Sequence, residues 1–233
     1  EFGTARMGCR AYLAVAGGIE VPEILGSRST YLSAGLGGIE GRAVRRGDRL
    51  APGRSARKLY PGLQRQLART RAKFVAAHWA ASLHPERLAR VPQIIRFVAG
   101  RHWETLPADA RARCLASEYR LSAASDRMGY RLEGAPLELA AHADAVPEAV
   151  AFGTIQLPPD GNPIVLMADR QVTGGYPRLG EVASVDLPLL AQLKPGDRLR
   201  FEKIALTEAQ RLLHLQEQAF QQLRESVQAH GTE

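Results

Sequence analysis

Five apolar residues in succession, Ile164-Val-Leu-Met-Ala168, entered through Gly161-Asn162-Pro163 and left through Asp169-Arg170-Gln171, set the strongest constraint on how this chain folds. A helix buried on all its faces needs about ten residues or more, whereas a strand covered on both sides is commonly this short and this apolar. The chain then turns polar at once. Asp169 offers an acceptor, Arg170 a forked cation and Gln171 an amide, while Gly174-Gly175 lets backbone approach a neighbour closely or take a positive φ. Taken alone, the stretch reads first as a strand followed by a Gly-Gly turn steadied by an Asp169–Arg170 pair, and second as a place for a small polar ligand.

Other short runs follow the same pattern. Ile94 to Val98 reads as a strand. Met128, Tyr130 and Leu132 alternate with Arg127, Gly129 and Arg131, the period of a half-buried strand that begins at Ser125-Asp126-Arg127. Leu137 to Leu139, Ala151 to Leu157, Gly180 to Val185 and Arg198 to Ile204 are further strands, separated by turns such as Pro158-Pro159-Asp160-Gly161. Brief helices are predicted over Pro107 to Ser117 and Asp186 to Leu193. A longer one opens at Thr207 with Leu212, Leu213, Leu215, Phe220 and Leu223 on its apolar positions. Many short strands at close spacing favour a barrel over a parallel sheet with regular crossover helices.

Nearer the start, Cys9 to Ala16 reads as a strand closed by a Gly17-Gly18 turn, and Gly47-Asp48 as a hairpin turn. Arg28 and Ser29 stand in a tight polar cluster that suits an oxyanion or a capped turn. Gly35-x-Gly37 lacks a following helical pattern, so a dinucleotide fingerprint is rejected. From Arg54 the composition shifts. Leu63 to Leu83, without Gly or Pro, places Leu63, Leu67, Phe74, Val75 and Trp79 on one side of a helix with a broad basic face.

The net charge is +7, and its distribution matters more than its size. Between Arg42 and Arg131 there are 20 Lys or Arg against 6 Asp or Glu, while the rest of the chain has 11 against 18. This regional basicity lacks both the aromatic interleaving of a single-strand platform and any helix-turn-helix or zinc-finger spacing, so nucleic acid is not an expected partner. No run of about 18 apolar residues suggests a membrane span, and no basic-then-apolar leader is seen, which favours the cytoplasm. Cys9 and Cys114 make no redox or metal spacing and are expected as buried free thiols; the six scattered histidines give no metal site.

Four segments then occur in order: Cys9-Arg-Ala-Tyr-Leu-Ala-Val-Ala-Gly-Gly18, Leu25-Gly-Ser-Arg-Ser-Thr30, Ser125-Asp-Arg-Met-Gly-Tyr-Arg-Leu-Glu-Gly134 and Met167-Ala-Asp-Arg-Gln-Val-Thr-Gly-Gly-Tyr-Pro177. Together they closely resemble the biotin-dependent carboxyltransferase family, which holds the C-type subunit of 5-oxoprolinase, the KipA regulators and the domain once called the second subunit of allophanate hydrolase. The resemblance implies a mainly β fold, a cyclophilin-like β-barrel with short helices and a C-terminal helix. It also implies three regions: 1–53 as the C-terminal part of a first β unit whose front is missing, 54–90 as a basic helical insertion or linker, and 91–233 as the barrel. The insertion departs from the family pattern.

For function, the resemblance implies a hydrolase component of an ATP-dependent 5-oxoprolinase, working with a sister protein of the KipI or 5-oxoprolinase B type and with a protein of the 5-oxoprolinase A type. No Gly-x-x-x-x-Gly-Lys-Ser/Thr cradle is present, so the ATP is not expected to be held by this chain alone. One alternative is the carboxyltransferase half of a urea carboxylase, the only reading that calls for biotin. Another is a non-catalytic KipA-type regulator that binds a histidine-kinase inhibitor. 5-Oxoproline, urea and the ureido ring of biotin each present a carbonyl oxygen beside N–H groups. Arg170 or Gln171 would supply donors, Asp169 or Asp126 an acceptor, and Arg28 or Arg127 a grip on phosphate or carboxylate. Asp169, Arg170 and Asp126 are thus the expected catalytic residues. Arg28, Ser29, Arg127, Gln171, Thr173, Gly174, Gly175 and Tyr176 are the expected binding residues.

Overall fold

Along Gln93–Ala99 every second side chain is sealed from water, Gln93, Ile95 and Phe97 on one phase and half-buried residues between them. This is the alternation of a strand whose one face meets a core. The computed structural model describes residues 5, 7–54, 65, 67–70, 73–74, 76, 87, 89–138 and 147–230. They divide into two compact units, Glu1–Arg10 with Ala80–Ser226 and Ala11–Trp79 with Val227–Glu233.

Among the described residues, the first unit is built from nine strands: β1 (Gln93–Ala99), β2 (Tyr119–Leu121), β3 (Gly129–Glu133), β4 (Glu148–Ala149), β5 (Thr154–Gln156), β6 (Ile164–Leu166), β7 (Thr173–Gly174), β8 (Arg178–Val182) and β9 (Arg198–Ile204). Helices α1 (Ala108–Ala116), α2 (Leu187–Ala191) and α3 (Leu206–His230) accompany them. Seven strands close into a barrel in the order β1-β8-β5-β6-β3-β2-β9, while β4 and β7 pair separately as a two-stranded ribbon. The neighbours are antiparallel except β1 and β9, which close the barrel side by side in parallel from Gln93↔Leu199 to Val98↔Ile204. A mainly β barrel with short helices and a C-terminal helix is therefore what the chain forms.

Inward-facing Ile95, Phe97, Tyr119, Leu121, Tyr130, Leu132, Ile155, Val165, Leu179, Leu199 and Phe201 fill the core. Each such side chain contributes about 1.5–3 kcal/mol on burial. Phe97 packs edge-on against Trp103 at 5.2 Å and Phe201 at 5.7 Å. Gly180 is required where β8 crosses β1, because a Cβ there would lie 2.4 Å from the Phe97 ring.

Several local expectations are corrected. Cys9 to Ala16 does not form a strand. Its front end finds a side chain instead of a partner strand: the Cys9 and Arg10 N–H groups donate to Gln192 Oε1 at 3.0 and 2.9 Å, and Gln192 Nε2 donates to Arg10 O. Cys9 is exposed, unlike the expected buried thiol, whereas Cys114 is buried, its thiol pushed up to about 11 by burial. Leu137 is buried but irregular, its N–H donating to Gly161 O. The Gly47-Asp48 turn exists without flanking strands. The predicted helix of Leu63 to Leu83 falls mostly outside the described residues; Leu67, within them, is helical and exposed, and Phe74 is exposed and not helical. On α3, Leu212, Leu213 and Leu223 are half-buried as predicted, but Leu215 and Phe220 are exposed.

In the second unit, Ala11–Arg54 is a series of turns joined by isolated bridges, Ile19↔Pro52, Ile24↔Ser27 and Tyr31↔Leu36. Arg42 forks onto both oxygens of Asp48 at 2.8 and 3.1 Å, which, with the Arg45 N–H, lowers the Asp48 carboxyl to about 2.

Candidate functional site

Antiparallel pairing of β3 with β6 sets the start of one strand beside the end of the other. Both expected polar segments lie there. Asp126 Oδ1 accepts the Met128 and Gly129 N–H groups at 2.8 and 3.1 Å, an Asx-type turn that launches β3. Arg127, next in line, reaches across to Asp169: Nε to Oδ2 is 2.6 Å and Nη2 to Oδ1 is 2.9 Å. The backbone joins as well, Asp169 N–H donating to Arg127 O and Met167 N–H to Met128 O. The two tips meet, and they meet in the open, with Arg127 69% and Asp169 31% exposed in their side chains. The guanidinium holds the Asp169 carboxyl below its ordinary range.

Arg170 turns the other way. Its backbone N–H closes a turn to Met167 O, and its Nε donates to Val150 O at 3.3 Å, just beyond β4. Gln171, Thr173, Gly175 and Tyr176 are exposed, while Gly174 is buried in β7. Arg28 and Ser29 belong to the second unit, where Arg28 lies 3.9 Å from Glu23 and the Ser29 N–H donates to Ser27 Oγ.

Beneath the β4–β7 ribbon lies a polar layer that sequence reasoning missed. Ile155 points into the core, so Thr154 and Gln156 point out of the barrel, yet both are sealed from solvent. Thr154 Oγ1 donates to Glu181 Oε2 at 2.8 Å and accepts the Ala151 N–H at 2.9 Å. Burial pushes the Glu181 carboxyl up, against the opposing effects of Thr154, Arg178 and Arg170. Arg178 Nη1 donates to Ala149 O at 3.0 Å, and its Nε stands 3.2 Å from Glu148 Oε1, a charge contact out of hydrogen-bond alignment. The Arg178 N–H donates to His102 Nδ1 at 2.9 Å; burial, then Arg101, lowers that imidazole's pKa. Gln156 Nε2 is buried without a hydrogen-bond partner. A Thr-x-Gln pair around one core residue was the available signal, but in a sequence it reads as a wet strand face.

Two grooves open on other faces of this unit. One of about 590 Å³ runs between β1, α2 and α3, lined by Ile94, Arg96, Leu189, Leu212 and Phe220 among others. Another of about 310 Å³ includes Met7, Gln192 and Arg198. Neither is lined by Asp126, Arg127, Asp169 or Arg170. Among the described residues, no three His, Cys, Asp or Glu side chains converge as metal ligands, and no helix is long and apolar enough to cross a membrane.

A closed barrel bearing joined Ser-Asp-Arg and Asp-Arg-Gln tips defines a class. Residues 1–203 match the model of the carboxyltransferase domain, subdomains A and B, and the chain belongs to that family. Within it, the chain is 34% identical to the 5-oxoprolinase C subunit of Haemophilus influenzae, over 96% of this chain and 65% of that protein. It is 36% identical to the 5-oxoprolinase C subunit of Escherichia coli, over 93% and 63%. The chain thus spans a little under two thirds of the length of these relatives. The crystal structure of the K. lactis urea amidolyase superimposes on it with a TM-score of 0.72 at 26% identity, covering 93% of this chain and 13% of that one.

Proposed function

We propose that this chain is part of an ATP-dependent 5-oxoprolinase that converts 5-oxoproline to L-glutamate. It would act beside a sister barrel protein of the KipI or 5-oxoprolinase B type and a separately folded protein of the 5-oxoprolinase A type. The similarity to the 5-oxoprolinase C subunits of two bacteria supports this reading. The observation that carries it on the structural side is the Arg127–Asp169 fork, which draws the two polar strand tips into one exposed patch.

The chemistry fits. Opening the lactam adds water across the C–N bond: oxygen goes to the carbonyl carbon and a proton to the ring nitrogen. The carbonyl oxygen gains negative charge on the way and calls for fixed donors. Arg170 uses its Nε on Val150 O, which leaves its terminal amino groups for such an oxygen, with Gln171 exposed beside it. Asp169 would accept the lactam N–H while Arg127 holds its carboxylate in place, and Asp126 shapes the turn that presents Arg127. ATP is used by the complex, at a site not contained in this chain alone.

In the reconstituted complex, Asp169→Asn and Arg170→Ala should each cut 5-oxoproline-dependent phosphate release by roughly a hundredfold, the scale of losing one oriented donor or acceptor. Melting temperatures should stay near that of the parent. Parallel losses of turnover and folding would reduce these residues to scaffold. Tight pairing with the sister protein but no turnover would favour a regulator.

The likeness to the K. lactis urea amidolyase supports a second reading, the carboxyltransferase half of a biotin-dependent urea carboxylase. The ureido ring would meet the same residues as the lactam. Urea-dependent, avidin-sensitive carboxylation by the complex would select it.

A further inference from the structure

Helices in folded proteins owe most of their stability to an apolar face packed against a neighbour, yet α3 runs for 25 residues without one buried side chain among the described residues. Leu212, Leu215, Ala219 and Phe220 recur at i, i+3, i+7 and i+8 and so keep to one face. That face does not close on the barrel. The groove of about 590 Å³ is lined jointly by these residues and by Ile94, Val185 and Leu189, and Leu215 and Phe220 remain 47% and 43% exposed. All of them belong to the first unit.

Charge around the groove is uneven. Arg87 and Arg96 grip Asp186, and Arg96 faces Glu202 across the β1–β9 seam, so two cations and two carboxylates balance. Arg90 is left over: it is exposed, and among the described residues no carboxylate pairs with it. Its backbone is held by the buried Gln93, whose Nε2 donates to Arg90 O and to Arg87 O, each at 2.7 Å. Arg90 also lines the groove of about 310 Å³, where Lys194 and Arg198 accompany it against one lining carboxylate, Asp197; Arg198 bonds Glu118, which is not in the lining. The two grooves share Arg90, Gln93 and Leu189, so the apolar walls along α3 lead to a cluster of cations.

We infer that the groove along α3 is a docking surface for an amphipathic helical segment of another protein, its apolar side chains lying against α3, β1 and α2 and an acidic residue at its end seated on Arg90. A concave apolar floor takes a helix laid along it. A flat bilayer cannot enter such a recess, and the apolar walls disfavour nucleic acid. The unmatched cation sets the sign of the partner, since a like charge brought to Arg90 is repelled. Asp126, Arg127, Asp169 and Arg170 line neither groove, so this surface does not depend on the amide-site reading.

The test is fluorescence anisotropy on the full chain with two labelled synthetic peptides that share leucines at helical spacing, one ending in glutamates and the other in lysines. The glutamate peptide should bind, and the lysine peptide roughly tenfold more weakly. Arg90→Ala should remove most of that difference, and Phe220→Gln should weaken both peptides roughly tenfold at an unchanged melting temperature. If Phe220→Gln fails to fold, Leu215→Gln, at an equally exposed position, takes its place. Binding of neither peptide, equal binding of both, or binding that ignores the α3 substitutions overturns the inference. So does a dimer of the unliganded chain in sedimentation that Phe220→Gln dissolves, which would make the occupant a second copy. Capture by phosphatidylserine vesicles without peptide binding would make it a lipid surface and overturns the inference as well.

Discussion

Asp169 and Asp186 are each gripped by an arginine through Nε and Nη2, one in the open and one sealed in. At Asp186 the forks of Arg96 measure 2.8 and 2.6 Å, the Arg96 backbone N–H adds a third bond at 2.9 Å, and Arg87 a fourth at 2.7 Å. Its side chain is wholly buried. Burial alone would raise that carboxyl; the bonds from Arg96 and Arg87 outweigh it and leave it below the usual range. Asp169 has the same fork but sits partly exposed at the barrel's mouth. Contact chemistry is therefore no guide to role. A carboxylate with four donors and no solvent is committed to holding β1 against the 184–191 turn and helix, whereas the Asp169–Arg127 pair keeps its contact with solvent.

The largest test of this contrast is Asp186→Ala, which strands Arg96 and should cost about 3–5 kcal/mol in urea unfolding. A loss below about 1 kcal/mol would erase the distinction. Acid unfolding sharpens it further. A carboxyl whose folded pKa is depressed contributes stability above its unfolded value of about 4, and that contribution disappears as pH falls through the lower folded value. Both aspartates have this sign, but exposure discounts Asp169. The acid limb of stability against pH should flatten clearly in Asp186→Asn and hardly at all in Asp169→Asn. Smallest of all, Arg127→Ala should shift stability by less than about 1 kcal/mol. A shift near ~3 kcal/mol, the scale of a broken buried pair, would make the open fork a structural element after all.

Much of the barrel was legible because its strands obey a local rule. β9 has the predicted bounds, and β1 and β6 lie within a residue or two of theirs, since alternation or a short apolar run between turn residues is a local signal that the barrel's own pairing reinforces. The parallel closure of β1 on β9 was not legible, because a pairing across roughly a hundred residues leaves no local trace. The site divides along the same line. Asp126 and Asp169 were found from their segments, and β3–β6 pairing brings them together. Thr154, Gln156 and Glu181 were overlooked because their burial is imposed by a ribbon assembled from residues 148–149 and 173–174, and no short window of sequence contains both its halves. Cys9 to Ala16 failed in the opposite sense: its alternation suggested a strand, but its front end is bound by a glutamine side chain, which cannot extend a ladder as a neighbouring backbone would.

The parallel seam between β1 and β9 also bears on the birth of the molecule. On a ribosome, β1 emerges before either of its neighbours has been made; β8 covers one edge later, and the mate of the other, β9, is the last strand of the barrel to appear. Until Arg198–Ile204 is released, the nascent chain carries a bare flank able to pair with a stranger. Cells producing this protein at high concentration should therefore depend on chaperones that shield that flank during synthesis.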